Sequence, residues 1–554
     1  MFVHLRHNPS TGTTMELRAG VQQKQVFDLG MAGRLTLLGD PVPGVTPDQL
    51  AAAVAPRGRL DPSALLRTVR GHYHWFLEHE GGTALGSGFA ALFPLYRRTM
   101  GHTTEVSSSM DLLAGLAPAT PDRTYLLERL LFNYPLFDRT PWKEVQLLPA
   151  HQVLHVGPEG ARLEKHLHIG DLIGREVRGD RAALVDLCER FAAECALFLP
   201  NDRVGISLTG GFDGRTLLAA ARHAGHADLF TYSFGMPGEE DLTFPQALSS
   251  RLGITHVPIA LDETYVEQHA LRAALAFMDL GERSGNLGRA HYHYAAEVLA
   301  QRTRHILTGN FGSELFRAMH QPGVMMSSTL LRLFAPEHGD WKADLAQRAA
   351  AGMEHEAGEL IASVERWMNA HPDASAAERF HIFLLEELFR KYFGPELVMQ
   401  ARLLRNRTPY LSLPLVEAVN ATRWSGVHSA LFEGRRARRM KGQVFYAAFL
   451  RRTDSALYRA PTNKGYTPAD VLEPWRAPLL LAKVLLRRLR HDPAADSNAV
   501  HALLLQHGPA LAAHYGLPSG TFGGEALTTD LERTISSSSA LAAWNAAHGA
   551  SHTP

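Results

Sequence analysis

The spacing of apolar positions changes near residue 170, and that change divides the chain in two. Before it, short apolar stretches alternate with polar residues and break at turns. Gly71-His72-Tyr73-His74-Trp75-Phe76-Leu77 shows the period-two pattern of a half-buried strand. Phe93-Pro94-Leu95-Tyr96, Glu105-Val106-Ser107-Ser108-Ser109-Met110 and Leu147-Leu148-Pro149-Ala150-His151-Gln152-Val153-Leu154 continue this strand-and-turn texture, with few helices. After it, Leu/Ala-rich segments take up helical spacing, beginning with an amphipathic helix from Arg181 through Phe198. Short strands interrupt them: Val204-Gly205-Ile206-Ser207-Leu208, Ala227 through Gly235, and Thr255-His256-Val257-Pro258-Ile259. This βαβαβ order predicts an α/β region with a parallel sheet, whose strand C-termini share the edge where nucleotides sit in open α/β folds. Arg304-His305-Ile306-Leu307 repeats the strand, turn and helix sequence, and residues 330–450 read mostly as helix. The Ser- and Ala-rich tail is expected to fray. No internal repeat is present.

Composition narrows the possibilities. Lys plus Arg and Asp plus Glu both number 56 among 554 residues, so the chain lacks the positive field of a nucleic-acid-binding protein. The two cysteines, Cys188 and Cys195, lie seven apart on one helical pattern, which argues against a disulfide and fits a reducing compartment. Neither a signal-peptide core nor a bilayer-length apolar run occurs, so a soluble cytoplasmic enzyme with no membrane span is expected. His291 and His293 flank Tyr292, but a helix there would turn the two imidazoles apart. The basic cluster Arg435, Arg436, Arg438, Arg439 and Lys441 and the basic amphipathic segment Leu479–Arg488 read most simply as a solvated helix face and as packing on the parent domain.

The chemistry concentrates after the Val204 strand. In Ser207-Leu208-Thr209-Gly210-Gly211-Phe212-Asp213-Gly214, two glycines allow close backbone approach, the helix that follows offers unpaired N–H groups, and Thr209 can donate a hydroxyl hydrogen bond. Such a turn suits an oxyanion. Asp213 does not suit a bare phosphate and makes sense as a ligand to a bridging Mg²⁺. A glycine turn with no ligand is the alternative. No Gly-Lys-Ser/Thr follows, so this is not a Walker loop.

The loop resembles the pyrophosphate-binding loop of the ATP pyrophosphatases, and within them the asparagine synthetase family, whose usual form is Ser-Gly-Gly-x-Asp-Ser. Here Thr209 and Gly214 replace the two serines. A second segment, Thr308-Gly309-Asn310-Phe311-Gly312-Ser313-Glu314-Leu315-Phe316, is similar to the family's Ser-Gly-Asp-Gly-x-Asp-Glu-Leu-Phe, with Asn310 and Ser313 in place of aspartates. The resemblance spans nearly the whole chain. It implies an inactive glutaminase-like (Ntn-type) α+β sandwich over 1–170, an adenine-nucleotide α-hydrolase-like parallel-sheet domain with extra helices over 171–530, and a flexible tail over 531–554.

It also implies roles for particular residues. Ser207, Thr209, Gly210, Gly211, Asp213, Thr308 and Gly309 would bind the polyphosphate, and Ser233, Phe234 and Gly235 the adenine and ribose. Asp213 and Glu314 would hold Mg²⁺, although Glu314 equally suits a first-turn acid favoured by the helix dipole. Glu282, with Asp279 behind it, is the candidate base that frees the attacking amine, or else a solvated loop acid. Lys464 stands one residue beyond the position of the family's lysine, which here is Asn463, and is the candidate cation for the departing pyrophosphate. Pro409-Tyr410-Leu411-Ser412 matches a family segment near the substrate, with Ser412 where Asp is usual.

Glutaminase activity in this family needs a Cys at position 2, and Phe2 stands there, so ammonia from glutamine is not expected. With ATP and Mg²⁺, the implied activity is AMP-forming amide ligation on a small-molecule or peptide carboxylate. Relatives lacking that Cys include β-lactam synthetase and the lasso-peptide macrolactam synthetase, so a precursor peptide and a protease are the implied partners. An ammonia-using asparagine synthetase-like enzyme and an inactive nucleotide-binding scaffold remain as alternatives.

Overall fold

A computed structural model describes residues 1–51, 53, 60–174, 176–280, 283–317, 327–334, 339–349, 351–431, 441–476, 478, 482–483, 499–523, 527 and 530–549. The N-terminal part is two antiparallel sheets face to face. One runs, in spatial order, Gly12–Arg18, Phe2–Asn8, Thr103–Ser107, Tyr96–Met100 and Gln146–Leu147. The other runs Gly160–Lys165, Gln152–Gly157, Gly82–Ser87, Arg70–His79, Arg34–Val42 and Gln23–Asp28. Val3, Leu5, Leu38, Phe76, Leu85 and Val106 fill the space between them.

The strand Arg70–His79 corrects the half-buried reading, because both of its faces are covered. Phe76 points into the inter-sheet core, while Tyr73, Trp75 and Leu77 pack outward against Leu65 and Val69 at the helix Pro62–Thr68. The hydrophobic alternation was real, but a helix layer supplied a second buried face.

The helix Arg181–Phe198 leads into the second part. Asp180 caps it by accepting from the Ala183 N–H, and Ala183, Leu187, Cys188, Phe191, Cys195 and Phe198 make one buried stripe at three- and four-residue spacing. A buried leucine- or phenylalanine-sized side chain contributes roughly 1.5–3 kcal/mol, so this stripe holds the helix down.

Five parallel strands follow in the spatial order His256–Ala260, Leu229–Gly235, Val204–Ser207, His305–Leu307 and Arg405–Arg407. The chain moves outward from Val204–Ser207 on one side and returns to its other side at His305–Leu307. The loops leaving these two neighbours therefore lie side by side at a topological switch point. Helices cover the sheet; one, continuous from Ala376 to Gln400, widens to π-helical winding over Leu384–Phe393.

The tail needs a correction as well. Residues expected to fray form the helix Leu531–His548, with Ala540, Ala542, Ala543 and Trp544 buried. Its small side chains allow close approach, and Ser538 and Ser539 return their hydroxyls to Thr534 O and Ile535 O. Trp544 packs against Tyr125 and Leu126 of the N-terminal part, and Ser539 accepts the Leu287 N–H. No described helix is long and apolar enough to cross a membrane.

Candidate functional site

The Val204–Ser207 strand ends in the loop Leu208–Phe212, and the helix Asp213–His223 begins at once. Phe212 carries no capping side chain, so no side chain takes up the first N–H groups of that helix; they and its dipole face the loop. Thr209 is exposed, and its Oγ1 accepts the Gly211 N–H at 3.3 Å, which leaves the hydroxyl proton for a ligand. Gly214 explains the missing family serine, since a Cβ there would overlap the carbonyl oxygen of Ser207 and lie 3.2 Å from its carbon.

The second turn, after His305–Leu307, packs directly on the first. A Cβ on Gly309 would sit 2.8 Å from Gly214 N and 2.9 Å from Asp213 Cβ. One on Gly312 would sit 2.9 Å from Asp213 Oδ1 and 3.0 Å from Tyr446 Oη. Glycine at both positions lets the two turns close against each other. Phe311 holds a left-handed φ of 75°, fixed by rings of Phe389 and Phe393 at 4.7 and 5.0 Å.

Asp213 Oδ2 accepts from Ser313 Oγ at 2.5 Å, while Oδ1 is buried with no partner. The Tyr446 hydroxyl is likewise buried and unpaired, and Tyr410 Oη donates to the Asp213 carbonyl at 3.2 Å. Burial, and then the Asp213 charge, push the Glu314 carboxyl up to about 7. A second carboxylate thus lies within electrostatic reach of Asp213, which has one oxygen left over. A hard dication resolves both features, because Mg²⁺ is commonly held by one or two carboxylates plus phosphate and water. Among the described residues no three His, Cys, Asp or Glu side chains gather to hold a metal.

The remaining sequence candidates fall as follows. Ser207 ends its strand, and Ser233, Phe234 and Gly235 end the neighbouring strand, Leu229–Gly235. Ser233 Oγ contacts His256 Nε2 at 3.2 Å, and the Phe234 ring meets His291 and Tyr292 at 5.1 and 5.0 Å. Thr308 turns its hydroxyl away from the loop and donates to Asn406 Oδ1, so it braces the turn. Ser412 donates to Glu194 in the interior instead of facing the cleft. Glu282 lies outside the described residues. Asp279 is exposed on the helix Ala270–Leu280, close to Tyr515. His291 and His293 sit on one helix and belong to no metal cluster. Lys464 is exposed in the turn Thr462–Tyr466, which docks on the loop Leu208–Phe212: Asn463 N donates to Gly210 O at 3.2 Å, and a Cβ on Gly210 would overlap the Asn463 side chain. The turns carrying Lys464 and Gly309 therefore reach the same loop.

Two contributors escaped the sequence reading. Tyr446 carries no local signal in its helix. Arg215 does, being a cation two residues after the loop aspartate, just ahead of the apolar run Leu217–Ala221.

A parallel sheet with paired glycine turns at its switch point and an uncapped helix over a carboxylate defines a nucleotide-polyphosphate-binding α/β protein. The model of the asparagine synthase family matches residues 200–513, more than half of the chain, from just before the Val204 strand into the helix Ala499–His514. The chain belongs to that family and hence to the ATP-dependent amide ligases, which typically use Mg²⁺. No curated protein matches it. Among solved structures it is similar to the glutamine phosphoribosylpyrophosphate amidotransferase of B. subtilis complexed with ADP and GMP, at 11% identity over 58% of this chain and 77% of that one; the TM-score of 0.19 carries no argument.

Proposed function

We propose that the chain is an AMP- and pyrophosphate-releasing ligase that adenylates a carboxylate and joins it to an amine, in the manner of the ring-closing relatives acting on a peptide or natural product. The observation carrying this reading is the unpaired, buried Asp213 Oδ1, set between two glycine turns and an uncapped helix N-terminus. The N–H groups of the Gly210–Asp213 segment and the Thr209 hydroxyl bind the polyphosphate. Glu314 and Asp213 would hold Mg²⁺, which would supply positive charge against the polyphosphate oxygens. Lys464, at the rim, adds a cation for the same oxygens, and Ser233–Gly235 line the adenine end.

The reading also divides the chain into a glutaminase-like sandwich and an ATP pyrophosphatase domain. Both cysteines are buried in the helix Arg181–Phe198, and burial pushes the Cys188 thiol up to about 12 and raises that of Cys195 as well. Neither supplies a thiolate for glutamine hydrolysis. The amine therefore comes from the substrate itself or from free ammonia, the latter as in an asparagine synthetase-like enzyme.

A second reading, an inactive nucleotide-binding scaffold, draws on Ser313 and Asn463 standing where the family carries Asp and Lys. ATP–pyrophosphate exchange across candidate carboxylates separates the two. The ligase shows carboxylate-dependent exchange that D213A abolishes. Absence of exchange with every carboxylate, despite Mg-ATP binding, leaves the scaffold.

A further inference from the structure

Behind the phosphate loop lies a cation that the chemistry above does not use. Arg215 is the third residue of the helix Asp213–His223 and is fully buried. Its Nη1 donates to Ala460 O at 2.8 Å and its Nη2 to Pro461 O at 2.7 Å, while Nε finds no acceptor. The Phe244 ring lies 5.7 Å from its Cζ. Among the described residues no carboxylate forms an ion pair with it. Taking a guanidinium out of water costs several kcal/mol, and two neutral carbonyls offset only part of that. An apolar side chain would fill the same volume without that cost.

What the guanidinium gains is location. Its fork spans two successive carbonyls, and those carbonyls lead straight into the turn Thr462–Tyr466. That turn is closed on itself by Thr462 N to Tyr466 O at 2.7 Å and by Gly465 N to Thr462 O at 2.9 Å. As a rigid unit it presents Asn463 to Gly210 and carries Lys464 beside it. The forked bond of Arg215 ties the segment leading into this turn to the loop helix, alongside the Asn463 N–H on Gly210 O.

We propose that Arg215 is a positioning residue that clamps the Ala460–Tyr466 segment onto the phosphate loop, so that Lys464 stays over the bound polyphosphate. This rests on the ligase reading of the loop. Lys is not equivalent to Arg here, because a single ammonium cannot span two carbonyls at fork geometry.

The test uses the full chain and three probes, AMP, Mg-ATP and Mg-pyrophosphate, measured by calorimetry. R215K binds AMP within about twofold of the unaltered protein but loses about tenfold in affinity for Mg-pyrophosphate and Mg-ATP, a change of about 1.4 kcal/mol. Amide hydrogen exchange over 462–466 quickens in the same variant. K464A, on an exposed position that leaves the core untouched, shows the same split. The R215K/K464A pair is no weaker than either single variant, because both remove one interaction. Additive losses, or R215K binding pyrophosphate as the unaltered protein does, overturn the proposal. So does loss of AMP affinity along with the rest in R215K, which makes Arg215 a packing residue only. If the unaltered protein binds neither AMP nor Mg-ATP, the ligase reading itself fails, and the clamp with it.

Discussion

Restoring the serine that the family usually carries at position 214 should damage the protein, and the alanine variant isolates why. In G214A the new Cβ overlaps Ser207 O, the last carbonyl of the central strand, and meets Leu208 Cα at 3.4 Å. That carbonyl belongs to a strand paired on both sides, so it cannot yield cheaply. Overpacking of this kind costs about 1–3 kcal/mol, and a backbone obstacle puts it near the upper end. Against it stands the helix-propensity gain of alanine over glycine, about 1 kcal/mol. The net expectation is a loss of about 2 kcal/mol. Gly358 is the control. It lies on the exposed face of the helix Glu354–Asn369, where a Cβ would meet nothing within 4 Å. G358A keeps the propensity gain alone and stabilises by up to about 1 kcal/mol. One chemical change in two helices thus moves stability in opposite directions. Because a chain of this size need not unfold in two states, the comparison is made on apparent urea midpoints read by tryptophan fluorescence, with Mg-ATP affinity alongside. A G214A midpoint at or above that of the unaltered protein would refute the close-packing argument.

Two further outcomes follow from buried charge. Burial holds His72 and His381 at about 4 and His74 at about 3, all below the usual 6.5, so these imidazoles are neutral in the folded protein. The unfolded chain binds protons that the folded one refuses, so their contribution is whole above pH 6.5 and is lost progressively as pH falls toward 4. At pH 5.5 each costs about 1.4 kcal/mol relative to neutral pH, and a urea midpoint that stays level between pH 7.5 and 5.5 contradicts this. D40N, which removes the charge paired bidentately with buried Arg407 at 2.7 and 3.1 Å, loses about 3–5 kcal/mol and opens the 405–407 strand to protease. An unchanged digestion pattern argues against that interface.

Legibility in the sequence followed locality. The strand–turn–helix around Asp213 could be read because its signals are contiguous: strand, glycines, aspartate and helix lie within about a dozen residues, and each imposes its own backbone constraint. The second turn was legible for the same reason. The tail helix was misread because Ser and Ala runs look the same whether solvated or pressed against a neighbour, and what decides is Trp544 finding Tyr125 across more than four hundred residues. Tyr446 and the direction of the Thr308 hydroxyl were invisible for a related reason. The groups they lie against, the Gly312 turn and Asn406, come from other elements, and no spacing encodes the meeting.

The same kind of non-local contact joins the N-terminal sandwich to the parallel sheet. Its residues enter the parallel-sheet region at several points. Arg70 pairs with Glu194 of the helix before the loop at 2.8 Å, and Asp40 holds Arg407, which in turn donates to Phe198 O at the end of that helix. Gln22 gives its amide to Ala401 O and Leu404 O just ahead of the fifth strand. Fully buried Arg129 donates to Arg283 O and Gly285 O, and Asp111 pairs with Arg283, which sits at a φ of 54°. Buried ions of this kind are weak sources of net stability but costly to leave unpaired. Cutting the sandwich away would strand Arg407 and Glu194 beside the strand and helix that frame the phosphate loop, and would free the 283–285 backbone from its only buried guanidinium among the described residues. A change in the sandwich therefore reaches the loop around Asp213 through groups that need not touch a substrate.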